Sequence, residues 1–163
     1  MQQHRRAMIG SPALDLPEHR TAVMEACLRQ GFFPVMMEHL AASDDDAIHE
    51  SLRMVDEADV YLGILAHRCG YVPKGLAISI TEMEYNHAGE RGIQRLMFAM
   101  HKDRPIHIED VEMGEGAEKL KALRNESKRT KSCGSLRRLT DGGETRLIPC
   151  RACASRIPLH FTM

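Results

Sequence analysis

The run Val60-Tyr61-Leu62-Gly63-Ile64-Leu65 constrains this chain more than any other stretch. It is apolar throughout, and a strand can be apolar on both its faces only when helices cover both sides of its sheet, as in a parallel α/β sheet. A loop bearing Arg68, Gly70, Pro73 and Gly75 follows. Then Ser79-Ile80-Thr81-Glu82-Met83-Glu84-Tyr85 reads as a helix start, with a hydroxyl at a capping position and two carboxylates placed for the first turn, where the helix dipole favours negative charge. Buried strand, glycine-bearing loop and helix N-terminus together make the kind of segment at which ligand sites collect in open α/β sheets, at the carboxyl ends of the strands.

The rest of the chain repeats the unit. Arg6-Ala7-Met8-Ile9-Gly10 is a strand ending on glycine, followed by a turn through Ser11 and Pro12 and a helix with Pro17 at its first position. Ala22, Val23, Ala26, Cys27 and Gln30 give that helix its inward spacing, and Gly31 marks its stop. Phe32 to Met37 is a second strand that Pro34 confines to a strand start or a sheet edge. Ser43 caps a helix with Asp44, Asp45 and Asp46 in its first turn and Ile48, Leu52, Val55 and Ala58 as its apolar stripe. Ile80 to Arg91, closed by Gly92, is the third helix, and Arg95 to Met100 the next strand. Strand-helix units with short connections predict a parallel sheet covered on both faces, with Val60–Leu65 between the strands near Met8 and Met97.

Beyond Met100 the pattern weakens. Asp103 to Gly116 is polar and acidic, a surface loop, and Ala117 to Glu126 spans a helix of about three turns. Residues 127–163 show neither period, so the chain divides into an α/β domain over residues 1–126 and a poorly structured or atypical C-terminal extension over 127–163.

With 163 residues there is chain for one domain with a proper core. The 22 Lys and Arg balance 23 Asp and Glu, so no global field recruits nucleic acid or an anionic membrane surface. No apolar run approaches the roughly 20 residues a membrane-spanning helix needs, and the N-terminus lacks the apolar segment of a signal peptide, which predicts a soluble, cytoplasmic protein. The five cysteines, an odd number, fit reduced thiols better than a disulfide framework. Cys150-Arg151-Ala152-Cys153 has the spacing of half a zinc site, but no second such pair accompanies it, so no metal is expected. In a chain with no tryptophan, the 11 methionines read as core filler.

The strand VYLGILAHRCGYVP followed by SITEMEY, together with the opening GSPALDLPEHRTAVMEACLRQGFFPVMME, resembles the Toll/interleukin-receptor-like (TIR-like) domain of unknown function 4062, found at the N-terminus of large STAND-type, nephrocystin-like NTPases. The resemblance covers about Arg6 to Met100. It implies a flavodoxin-like, three-layer α/β sandwich with a central parallel sheet, related to TIR domains and nucleoside deoxyribosyltransferases. It matches Ser11, Asp15 and Arg20 around the first loop and helix, Arg68, Gly70 and Tyr71 in the loop after the buried strand, Ser79 and Thr81 before the helix, and Glu84 within it. His67 and Cys69 stand where the family has aromatic residues, Pro12-Ala13 replace a Ser-Thr pair, and the match ends after about Lys131.

In related enzymes a glutamate at this place acts on the sugar of an N-glycosidic bond, whose cleavage builds positive charge that a carboxylate can stabilise or capture. Glu84 is the candidate catalytic residue; a glutamate at a helix start also has the ordinary role of complementing the dipole. Ser11, Asp15, Arg68, Gly70, Tyr71, Ser79 and Thr81 are the candidate substrate-binding residues. Ser11 and Asp15 fit turn and cap chemistry equally, and Arg68 fits an exposed arginine. Two function classes follow: an N-glycosidase acting on NAD or a related nucleotide, with no added cofactor, or a non-catalytic module that forms homo-oligomers and signals to a partner or downstream NTPase.

Overall fold

The computed structural model describes residues 5–12, 17–37, 44–100, 111–130, 133–138 and 145–149. Each apolar strand is followed by a helix: β1 (Arg5–Gly10), α1 (Pro17–Arg29), β2 (Phe32–Val35), α2 (Asp44–Asp56), β3 (Val60–Leu65), α3 (Ile80–Glu90), β4 (Gln94–Met100), α4 (Glu115–Arg129), and then β5 (Cys133–Arg138) and β6 (Thr145–Pro149). The strands form one sheet in the order β2-β1-β3-β4-β5-β6. The first five pair in parallel, and β6 runs antiparallel to β5. The order 2-1-3-4-5 is that of the flavodoxin-like doubly wound sheet, and the predicted fold class holds.

β3 lies between β1 and β4, as its composition requires, and all six of its residues are buried. The pleat sends Val60, Leu62 and Ile64 to one face, where Ala7, Ile9, Leu96 and Phe98 join Val23, Ala26 and Cys27 of α1. Tyr61 and Leu65 go to the other, with Met8 and Met97, beneath Val55 of α2, Tyr85 and Ala88 of α3, and Leu120 and Leu123 of α4. Each fully buried aliphatic side chain of this kind contributes about 1.5–3 kcal/mol.

Local signals set the helix ends. Pro17 opens α1, its fixed φ suited to the first turn. Gly92, at φ 70°, follows α3, and the Ile93 N–H behind it donates to Ala88 O at 2.8 Å. Pro34 lies in β2, a strand of four residues that among the described residues pairs with β1 alone and forms an edge of the sheet.

Three details differ from the sequence reading. The buried stripe of α2 is Ala47, Ser51 and Val55, rather than one centred on Ile48 and Leu52, which are half-buried. A serine takes an inward position there because a polar group waits opposite it. The break placed at residue 126 falls inside α4, which continues through Ser127, itself buried, to Arg129. Residues 133–138 and 145–149, read as part of a poorly structured or atypical extension, are strands of the sheet, and β5 covers the side of β4 that would otherwise be an edge. Ser43, residues 103–110 of the expected surface loop and the Cys150–Cys153 pair lie outside the described residues.

Candidate active site at the end of β1 and β3

The chain leaves β1 toward β2 on one side and β3 toward β4 on the other, so the carboxyl ends of β1 and β3 flank the switch point of the sheet. Gly10 and Gly63 are partners in the register there. Tyr61, two residues earlier on β3, belongs to the face covered by α2, α3 and α4 and is fully buried.

Glu84 meets it from α3. The helix starts at Ile80, and the Ser79 hydroxyl caps it by accepting from the Glu82 N–H at 3.3 Å. The Tyr71 carbonyl accepts from the Ile80 N–H at 3.0 Å, so the loop satisfies another donor of that first turn. Glu82 therefore holds the dipole position, whereas Glu84 falls in the second turn, on the inward side and only 4% exposed. The reading of Glu84 as a first-turn carboxylate is thus corrected: a step of four residues from Ile80 carries it under the helix.

Both oxygens of Glu84 are engaged. Ser51 donates to Oε1 at 3.0 Å and the Tyr61 hydroxyl to Oε2 at 3.1 Å, and the Thr81 carbonyl lies 3.3 Å from the same tyrosine oxygen. Burial pushes the Glu84 carboxyl up from 4.5 to about 7, against the opposing pull of the Ser51 and Tyr61 hydrogen bonds and the positive charge of Arg20. The Tyr61 phenol is held well above its ordinary range by burial and by the neighbouring Glu84. Gly10 closes the arrangement from β1: a Cβ at this position would overlap the Tyr61 hydroxyl and Glu84 Oε2, so only glycine leaves room for the pair.

The loop after β3 brings further predicted residues to the same end. Gly70, at φ 88°, packs so that a Cβ would lie 3.3 Å from Thr81 Oγ1 and 3.6 Å from Pro12, which joins the loop after β1 to the start of α3. Thr81 is buried, and Ser11 Oγ is buried with no hydrogen-bond partner among the described residues. The loop is anchored on its far side: the Cys69 N–H donates to Glu112 Oε2 at 2.6 Å, the Glu112 N–H to His67 O at 3.1 Å, and Arg124 to Ala66 O.

The structure therefore gathers Glu84, Thr81, Gly70 and Ser11 at one end of the sheet. Ser79 is there too, its hydroxyl occupied by the cap. Tyr71 is half exposed and Arg68 half-buried on the same loop, and Leu76 is exposed. Asp15 lies outside the described residues. Sequence reasoning passed over Tyr61 and Ser51, the two direct partners of Glu84. The available signal was a tyrosine inside an aliphatic run and a serine at helical spacing from Ala47 and Val55.

A buried carboxylate that ionises near neutrality, with hydroxyl donors on both oxygens, can serve as base, nucleophile or counter-charge to a developing cation. Among the described residues no group of three or more His, Cys, Asp or Glu side chains could hold a metal ion, and no helix is long and apolar enough to cross a membrane. No curated protein matches the chain. Residues 6–145, a span reaching well beyond Met100, match the family described as Domain of unknown function (DUF4062), and the chain belongs to that family.

Proposed function

We propose that the chain is a TIR-like effector domain that cleaves the N-glycosidic bond of a nucleotide of the NAD type, with Glu84 as the catalytic carboxylate. The observation that carries the reading is the placement of Glu84: buried, ionising at about 7 and set at the switch point of a flavodoxin-like sheet. In the reaction the bond between the sugar's anomeric carbon and the pyridinium nitrogen breaks with its electron pair going to the base, which leaves neutral. The positive charge left on the sugar is stabilised or captured by Glu84, and water then adds to the anomeric carbon and releases a proton. Ser11, Thr81, Gly70 and Arg68 supply the surrounding contacts to sugar and phosphate. The domain works in the cytoplasm as a homo-oligomer, ahead of a STAND-type NTPase, without binding nucleic acid or membrane.

Incubation of the purified chain with NAD and chromatography of the products tests this. Wild type is expected to release the free base, and Glu84→Gln to be slower by roughly a hundred- to a thousand-fold. Full activity in the Gln variant removes Glu84 from the mechanism.

A second reading rests on a specific observation: both Glu84 oxygens already have protein partners, so the carboxylate also ties α2 and α3 to β3. In a non-catalytic self-association module that tie is its whole role. No cleavage by a wild type shown by sedimentation to be oligomeric selects this reading.

A further inference from the structure

We propose that Tyr61 and Ser51 are positioning residues for Glu84, fixing both oxygens of its carboxylate beside Gly10 so that it meets a ligand in one orientation. The inference rests on the reading of Glu84 as the reacting carboxylate and assigns roles to two residues outside the loops and helix start that carry the rest of the site.

Each of the two hydroxyls stands where an apolar group would otherwise pack. Ser51 occupies the inward stripe of α2, between Ala47 and Val55, where another apolar side chain would pack. Tyr61 interrupts the aliphatic run of β3, and its ring is fully buried. A buried hydroxyl is unfavourable unless hydrogen-bonded, and each of these reaches a different oxygen of the same carboxylate, at 3.0 and 3.1 Å. Gly10 adds a third accommodation, since any side chain there would strike the Tyr61 and Glu84 oxygens. Positions on β1, β3 and α2 are thus all matched to one acid on α3.

The phenol has a further property. It carries one proton and has two acceptors in reach, Glu84 Oε2 at 3.1 Å and the Thr81 carbonyl at 3.3 Å. The proton goes to the carboxylate when Glu84 is ionised. When Glu84 is protonated the phenol can turn to Thr81 and accept from the acid instead, so the carboxyl keeps its place in both states. Serine can reverse its bond in the same way. The charged group from a neighbouring element that bears on Glu84 is Arg20 of α1, and it is left untouched in the variants below.

The test reads the ionisation of Glu84 directly, by NMR titration of carboxyl-labelled glutamate, with the Glu84 signal identified by its loss in Glu84→Gln. In Tyr61→Phe, which keeps the ring, and in Ser51→Ala, which removes little more than an oxygen, the midpoint is expected to rise by about one pH unit or more, because a donor to the charged form is gone. The rising limb of the pH profile for nucleotide cleavage should move with it, and kcat should stay depressed above that limb while KM changes little. Circular dichroism establishes that each variant is folded; if Tyr61→Phe is not, Ser51→Ala carries the test alone. An unmoved midpoint in the folded variants overturns the proposal. A midpoint that rises, in a protein whose oligomeric wild type cleaves no nucleotide, overturns the N-glycosidase assignment and the positioning role together and leaves the two hydroxyls as a structural tie, whereas an unmoved midpoint beside normal cleavage overturns the positioning role alone.

Discussion

The Tyr61 hydroxyl lies 3.1 Å from Glu84 Oε2, a hydrogen bond between the central strand and a helix that starts 15 residues after that strand ends. Both groups are buried, and the space they share exists because residue 10 is glycine. The behaviour of this end of the molecule should follow from that contact.

Stability should fall as pH rises through neutrality. Glu84 ionises at 4.5 in an ordinary setting and at about 7 in the folded chain, so between those values the native state holds a proton that the unfolded state has lost. The contribution is fully present below about 4.5 and is lost as pH passes about 7. At about 1.4 kcal/mol per pH unit it amounts to roughly 3 kcal/mol. Urea denaturation at pH 5 and pH 8 should reveal this loss in wild type, and Glu84→Gln should lack it.

Gly10→Ala should be destabilising through overlap, since its backbone conformation suits any residue. The added methyl meets the Tyr61 hydroxyl and Glu84 Oε2, and overpacking of this kind costs about 1–3 kcal/mol. A fall in Tm accompanied by a displaced Glu84 titration is the expected result. Retention of both wild-type values would show that the pair moves aside without cost.

Cys27 and Cys69 should resist alkylation in the native protein. Both are buried, and burial pushes their thiols up to about 12 and about 11 respectively, so little thiolate forms at neutral pH. Iodoacetamide labelling followed by peptide mass spectrometry should find these two modified only after denaturant is added. Rapid native labelling of Cys27 would contradict the packing of α1 on the sheet.

Ending the chain after Thr130 should destabilise the fold although it leaves α4 whole. β5 pairs with Met97–Met100 of β4, so the deletion exposes that strand as a second sheet edge. Hydrogen exchange should quicken at β4 amides in the shortened protein, and its solubility should drop. Unchanged exchange there would mean that β5 contributes nothing to the core sheet.

The sheet was legible in the sequence wherever a single force dominates. Val60–Leu65 is apolar because both its faces are covered, and Pro34 announced an edge because it cannot donate to a ladder. Glu84 was legible by family resemblance, but its burial was not: two glutamates, 82 and 84, look alike until the position of the Ser79 cap fixes which one faces inward. Ser51 and Tyr61 were hidden because partners 33 and 23 residues away leave no local pattern. β5 and β6 were missed because CGSLRR and TRLIP are short and show no apolar alternation of any length, and strand pairing supplies what their composition does not advertise.

Pro34 carries one more consequence. An open strand is an invitation for another chain to extend the sheet, and β2 declines it: four residues long, with a pyrrolidine ring where one backbone N–H would be, it offers a newcomer almost no ladder to climb. With β2 closed to pairing, only the β6 edge among the described residues is left for another copy, so joining edge to edge stops at two copies instead of growing into a continuous sheet without limit.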